Sequence, residues 1–380
     1  MKKLILFLTL CSVSVAEAQY TIRLIVRTVA TRQNDDIYVA GNFNGWNPKG
    51  EKYKLKVFGP NVRAVVIKDI PAGNYAFKFT RGGFDKVECA ADGKDIEDRV
   101  LDVNADVSVE LNVAGWKDDY PQKPKQYTAS PNVRIIDTAF AIPQLDRKRR
   151  IWIYLPGSYA SSSKTYPVIY MHDGQNLFNE QTAPFGEWGV DECLDTLQQK
   201  IGKEAIVVGI DNGGDKRMTE YNPFDNTQYG KGEGKEYVDF IIKNLKPFID
   251  SKYRTKKSAP YTFIAGSSMG GLISLYAVMQ YPQVFGGAGI FSPAFWIAPR
   301  LYDAAATFNP LNEQPALYFY AGKAESATMV SDMRKMVDIL QKKKSYKLLE
   351  VVNPLGQHNE KYWRQDFPNF YNWLMSSIPN

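Results

Sequence analysis

Tyr261-Thr262-Phe263-Ile264-Ala265-Gly266-Ser267-Ser268-Met269-Gly270-Gly271-Leu272 joins an apolar, β-branched run to a helical one through a Gly-x-Ser-x-Gly pentapeptide. Tyr261 to Ala265 reads as a buried strand, and Leu272, Leu275, Tyr276 and Met279 recur at helical spacing. A serine on so sharp a strand-to-helix turn has a strained backbone, and the flanking Gly266 and Gly270 let strand and helix approach closely. Ser268 Oγ is then lifted clear of the sheet, and the Met269 N–H at the helix N-terminus faces negative charge developing beside it. Ser268 is therefore the candidate nucleophile, and Ser267 occupies the variable position of the motif. The bland alternative is a Gly/Ser-rich loop ahead of a surface helix, which the flanking strand and helix argue against.

Outward from this turn, the chain from Val133 to the C-terminus alternates strands and helices. Arg149–Leu155, Tyr166–Met171, Ala205–Ile210, Phe285–Ser292, Ala316–Ala321 and Lys347–Val352 read as strands. Val190–Gln199, Gly234–Tyr253, Thr328–Lys343 and Tyr362–Met375 read as helices. Repeated βα units imply a doubly wound, mostly parallel sheet, and with the Ser268 turn the fold class expected is an α/β-hydrolase.

A serine needs a base, and the base an orienting carboxylate. In this fold they follow in the order serine, acid, histidine. The chain has two histidines. His172 precedes the turn and is expected to be structural, hydrogen-bonding within its own loop. His358, in the loop after the last strand, is the candidate base. Glu325 follows the Ala316–Ala321 strand and is the candidate acid, with Asp332, a turn into the next helix, as runner-up. The loop after Tyr166–Met171 should give the second oxyanion donor, from Gly174, Gln175 or Asn176. Phe295 and Trp296, past another strand end, are candidate pocket walls. Arg217 is a candidate substrate contact, although a pairing with Glu220 that holds their loop is the commoner use.

The first third differs. Thr21–Arg27, Asp36–Ala40, Tyr53–Val57, Arg63–Ile67, Tyr75–Thr80 and Val107–Val113 are short strands between turn signals such as Asn44-Gly45 and Pro71-Ala72-Gly73. Residues 19–117 are thus expected to form one antiparallel, immunoglobulin-like β-sandwich. Residues 118–132, with Pro121, Pro124 and Pro131, read as a linker, leaving 133–380 as the hydrolase domain. Met1-Lys2-Lys3, the apolar Leu4–Val15 and Ala16-Glu17-Ala18 read as a cleaved export signal over residues 1–18, and the mature chain as periplasmic or secreted.

Without that signal, 45 basic side chains against 40 acidic give +5, scattered too thinly for a nucleic-acid surface. The densest run, Arg147 to Arg150, lies at the start of a strand and reads as a solvated turn and not a nucleic-acid patch. No later segment is apolar enough to span a membrane. Cys89 and Cys193, far apart, read as free thiols.

Tyr38-Val39-Ala40-Gly41-Asn42-Phe43-Asn44-Gly45-Trp46, with Gly73-Asn74-Tyr75-Ala76-Phe77-Lys78-Phe79, resembles the family 48 starch- and glycogen-binding modules. The resemblance implies glucan contacts at Trp46 and Lys78. Phe84 stands where the family has a second tryptophan, which weakens the stacking platform. The same signature occurs in sandwiches that only pack against a catalytic domain.

YMHDGQNLF (170–178), EWGVDECL (187–194), VGIDNGGDKRMTEYNP (208–223), GSSMGG (266–271), FSPAFW (291–296) and GQHNEKYW (356–363) resemble the esterase D-like family of α/β-hydrolases. That family includes feruloyl and acetylxylan esterases of carbohydrate esterase family 1 and the siderophore esterases. Position by position, the resemblance implies Ser268 as nucleophile, His358 as base and Glu325 as acid, with no metal or organic cofactor. The expected activity is a serine carboxylesterase acting on acylated carbohydrate or another small ester, with polysaccharide contact through the N-terminal domain. The rival readings are a siderophore trilactone esterase and a glycan-binding protein with a vestigial hydrolase domain.

Overall fold

Apolar runs fully buried on both faces become the inner strands of one eight-stranded sheet. Its strands are β1 (Val133–Ile142), β2 (Arg147–Tyr154), β3 (Val168–His172), β4 (Ile206–Ile210), β5 (Thr262–Ser267), β6 (Gly287–Phe291), β7 (Ala316–Gly322) and β8 (Lys347–Asn353). They lie in the order β1-β2-β4-β3-β5-β6-β7-β8, and only β2 runs against the rest. Alternate residues feed two cores. Ile153, Tyr170, Val208 and Ile264 point into one, and Trp152, Ile169, Val207 and Phe263 into the other. Among the helices covering these faces are α1 (Val190–Ile201), α2 (Met269–Gln280), α3 (Arg300–Thr307), α4 (Met329–Gln341) and α5 (Glu360–Ser377). The strand order and mixed sheet are those of an α/β-hydrolase.

The computed structural model describes residues 19–59, 62–121, 124–226, 230–308, 314–343 and 345–379. The expected export signal, residues 1–18, lies outside them. The chain divides into two compact units, to Lys123 and from Pro124. Among the described residues, no helix is long and apolar enough to cross a membrane.

In the N-terminal unit, Gln19–Val29 buries Ile22, Leu24 and Val26 on alternate positions, as a half-buried strand should. Its sheet partners are Val62–Pro71, antiparallel, and Val107–Val113, which is parallel to it. The expectation of a wholly antiparallel unit is thereby corrected. A three-stranded sheet (Tyr38–Gly41, Gly73–Thr80, Arg99–Val103) adds Val39, Phe77, Phe79 and Val103 to the same apolar core, with Trp116.

Of the expected linker, residues 118–132, the described ends are each bonded within their own unit. Asp119 pairs with Arg32 (2.7 Å) on one side, while Ser130 donates its N–H to Asp191 (2.6 Å) and Asn132 its amide to Asp195 (2.7 Å) on the other. The Arg147–Arg150 run opens β2, at the strand start where it was expected, but it is paired and not merely solvated: Arg147 and Arg149 reach Glu220 and Arg150 reaches Asp211. Finally, the helix expected over Gly234–Tyr253 widens to a π turn at Ile241–Leu245. Pro247 lies two residues past its end, and its missing N–H cannot close an ordinary α turn.

Candidate active site

The carboxyl ends of β5 to β8 lie side by side, and each carries one part of the site. Ser268 follows β5 at φ 57°, ψ −118°, a conformation that costs a non-glycine residue about 1–3 kcal/mol. The surroundings hold it there: its N–H donates to Phe291 O (2.8 Å) and its carbonyl accepts from Ala294 N–H (3.1 Å). A Cβ on Gly266 would stand 3.1 Å from the Gly270 Cα, so the strand and helix do meet as closely as the motif implied. Ser267 is buried, with its carbonyl 3.4 Å from Arg217 Nη2.

Glu325 lies in the loop after β7. Its Oε1 accepts from Gly322 N–H (2.6 Å) and Ser292 Oγ (2.7 Å), and its Oε2 is 2.8 Å from His358 Nδ1. The two loops are stitched together by Lys323 N–H to Asn353 O (2.9 Å) and Ala324 N–H to Gly356 O (3.0 Å). A Cβ on Gly322 would fall 2.1 Å from Gly356 O, so only glycine fits there. Nδ1 faces the carboxylate and leaves Nε2 for the nucleophile side. Strands ~4.8 Å apart put the Ser268 and Glu325 loops, two strands apart, roughly 10 Å from each other, a gap one imidazole can bridge. Asp332, the runner-up acid, is in α4, where its carboxylate accepts from Thr328 and its carbonyl from the Tyr302 hydroxyl (3.1 Å).

Met269 opens α2, so its N–H has no helical acceptor. Across the cleft, Asp173 adopts a left-handed conformation (φ 56°) and starts the single turn Gly174–Asn176. The Asn176 N–H closes that turn on Asp173 O (2.8 Å), and Asn176 Nδ2 donates to Glu360 (3.2 Å). Asn176 is therefore ruled out as a backbone donor. Gly174 packs so tightly on β4 that a Cβ would meet the Gly209 and Ile210 backbone at 2.8 Å. Gln175 N–H, between them, has no partner among the described residues, while its side chain accepts from Asn212 N–H (3.1 Å).

Arg217 does not pair with Glu220. It grips Asp173 with Nε to Oδ1 (2.7 Å) and Nη2 to Oδ2 (2.8 Å), and stacks on Tyr221 at 5.1 Å. Glu220, fully buried, faces the opposite way onto Arg147 (2.7 Å) and Arg149. Burial alone would raise Asp173, but the Arg217 charge and hydrogen bonds hold it below the usual carboxylate range. His172 is buried and structural, although its partner is Tyr237 (3.0 Å) from a distant helix and not its own loop. Burial pushes it down to about 3, so it stays neutral.

Phe295 is no pocket wall. It is fully buried against Tyr302, with ring centroids 5.7 Å apart, and its neighbour Trp296 faces out instead, 44% exposed. Three residues before His358, Leu355 is 73% exposed, whereas Ser292 and Trp363, inside the quoted motifs, are buried. In the N-terminal unit, Trp46 and Phe84 are half-buried and Lys78 pairs with Asp98 (3.1 Å).

Glu360 is buried, and burial, with Asp173 adding to it, pushes its carboxyl up to about 7. In the unfolded chain it would titrate near ~4.3. The folded form therefore holds the proton to higher pH, and stability from this group is present below ~4.3 and lost as pH rises through about 7. Glu360→Gln should flatten that loss and stabilise the protein at pH 8 by up to about 3 kcal/mol. Urea melts at pH 5 and 8 giving the same difference between parent and variant would contradict this.

Residues 142–374 match the family model described as "Putative esterase", more than half of the chain. The chain belongs to this esterase family. The Iron(III) enterobactin esterase of Escherichia coli is 27% identical over 199 residues, 49% of this chain and 46% of that protein. The Endo-1,4-beta-xylanase/feruloyl esterase of Xylanibacter ruminicola is 28% identical over 159 residues, 40% of this chain and 21% of that protein. In fold, the crystal structure of the enterobactin esterase FES from Shigella flexneri is similar, with a TM-score of 0.53 at 16% identity, covering 96% of this chain and 94% of that one. The esterase is a carboxylic ester hydrolase, and its C-terminal unit carries the fold expected of one.

Proposed function

We propose that this esterase is an exported serine carboxylesterase acting on acylated carbohydrate, with feruloyl or acetyl esters of plant polysaccharide as its substrates. One observation carries the mechanism. A strained serine at the mouth of α2 shares a sheet edge with a histidine whose Nδ1 is held by a buried glutamate. Ser268 Oγ attacks the ester carbonyl carbon as His358 Nε2 takes its proton. Met269 and Gln175 N–H groups hold the oxyanion, each such donor contributing about 3 kcal/mol. The tetrahedral intermediate collapses, the C–O bond to the alcohol breaks, and His358 returns the proton to the leaving oxygen. Water then repeats the sequence on the acyl-enzyme and releases the acid. Glu325 keeps the imidazole oriented and stabilises its charged form.

Trp296 and Leu355 supply apolar surface for the acyl group or sugar. The N-terminal unit is read as an immunoglobulin-like sandwich of the family 48 kind, with Trp46 and Phe84 as its sugar-facing aromatics. Lys78, held by Asp98, supports that reading less. Export rests on the sequence of residues 1–18. The second reading, a siderophore trilactone esterase, is supported by the similarity to the enterobactin esterase of E. coli. An intact serine, histidine and glutamate set argues against a purely glycan-binding role.

A fluorophosphonate probe should label the mature protein once, at Ser268, as read by peptide mass. Turnover should rank methyl ferulate or acetylated xylan above a ferric catecholate trilactone. The reverse ranking selects the siderophore reading, and absence of both label and turnover removes the hydrolytic one.

A further inference from the structure

Ser292 follows β6 in a backbone conformation that side chains rarely adopt, φ 45°, and is completely buried. Its N–H is fixed on Tyr320 O (2.7 Å), so the left-handed turn is held from below. A buried hydroxyl there, at a backbone cost of roughly 1–2 kcal/mol, needs a reason. Its contacts supply one. The single hydroxyl proton goes to Glu325 Oε1 (2.7 Å), and the oxygen accepts from Trp363 Nε1–H (2.8 Å). Trp363 is itself buried, stacked on Trp188 at 5.7 Å, and meets the His358 ring edge-on at 5.1 Å.

One indole thus touches the base directly and the acid through one hydroxyl. The geometry points to Ser292 and Trp363 as positioning residues: the chain Trp363 Nε1–H to Ser292 Oγ–H to Glu325 Oε1 locks the carboxylate so that Oε2 alone serves His358 Nδ1. Without it, Gly322 N–H is the one remaining donor to Oε1 among the described residues, and the carboxylate can pivot about a single bond. Neither residue touches the reacting atoms. Both act through Glu325, and the inference rests on the proposed roles of Glu325 and His358.

The role is separable from ordinary packing because it should vanish when the carboxylate does. A hydrogen bond to a charged group is worth enough that Ser292→Ala should lower kcat on p-nitrophenyl acetate roughly 10- to 100-fold, with KM within about twofold. In a Glu325→Gln background the same substitution should change kcat by less than about threefold. Trp363→Phe, which keeps the ring stack but removes the N–H, should fall between parent and Ser292→Ala.

A second readout does not depend on turnover. The chain has two histidines, so the far-downfield Nδ1–H proton resonance of His358 is assignable by its absence in His358→Ala. It should survive in Ser268→Ala, and shift upfield or broaden in Ser292→Ala. Equal losses of kcat with and without Glu325, or an unmoved resonance in Ser292→Ala, would overturn the inference. Failure of the hydrolytic reading would appear separately, as parental turnover in Ser268→Ala.

Discussion

Alanine at position 268 is expected to lower kcat for an activated aryl ester by about 10⁴- to 10⁶-fold while leaving KM within about twofold. The size follows from what the hydroxyl does in the proposed mechanism. It forms the only covalent bond to substrate, so its removal leaves just the binding surface and the two oxyanion donors. Those donors are backbone groups of Met269 and Gln175, fixed by the start of α2 and by the turn after β3, and they survive the substitution. Residual catalysis about 10³- to 10⁴-fold above water is therefore expected. The same logic predicts strong non-additivity: His358→Ala in the Ser268→Ala background should remove less than about tenfold more, because a base without its nucleophile has nothing to activate. The backbone at 268 should stay put, since its hold comes from Phe291 O and Ala294 N–H and not from the hydroxyl. Steady-state kinetics with circular dichroism as a folding control decides it. A folded Ser268→Ala that keeps a tenth of parental turnover would remove Ser268 from the chemistry.

The parts of this site that were legible in the sequence are those fixed by neighbours along the chain. The turn at Ser268 is local: an apolar strand, two glycines and a helix within a dozen residues leave the serine one place to go. The meeting of Glu325 and His358 was legible because each sits in a short loop just past a strand, where parallel β-sheets present their side chains together. Choices made by distant residues were not legible. Arg217 stands three residues from Glu220 and looks like its partner, yet Asp173, 44 positions earlier, takes it. Phe295 and Trp296 are adjacent aromatics, and which one turns inward depends on α3 and Tyr302. Strand direction was hidden for a similar reason. Alternation in Thr21–Arg27 fixes which face is buried but carries no information on whether Val107–Val113 runs with it or against it. β1 carries little strand signal because it lies at the sheet edge, half-exposed, with register shifts that break its alternation.

Removing the Asp173 carboxylate should be the most destabilising single change at the site, because it strands a guanidinium. Arg217 is only 24% exposed, and its sole carboxylate contact among the described residues is Asp173, whose own side chain is 9% exposed. Breaking such a pair from one side typically costs about 3–5 kcal/mol, since the remaining charge keeps its desolvation penalty and loses its compensation. For a unit of this size that corresponds to a fall in Tm of roughly 6–20 °C. Asp173→Ala adds strain, as alanine tolerates φ 56° less well than aspartate or asparagine. Asp173→Asn keeps the shape and isolates the charge, so it should recover part of the loss. The charge term has a pH signature. The folded carboxyl lies below the usual range, so its stabilisation is present above ~4 and lost as pH falls through the folded value. The gap between parent and Asp173→Asn should therefore be widest near neutrality and close in acid. Replacing both partners, Asp173→Asn with Arg217→Met, should restore stability toward the parent, because no uncompensated charge remains. Activity should not return with it. Asp173 begins the turn that aims Gln175 N–H, and an oxyanion donor out of place costs about 10²- to 10³-fold in kcat. A double variant as unstable as Asp173→Asn alone would show that the turn's backbone, and not the stranded charge, dominates; parental kcat in that variant would show that the turn holds its aim without the pair.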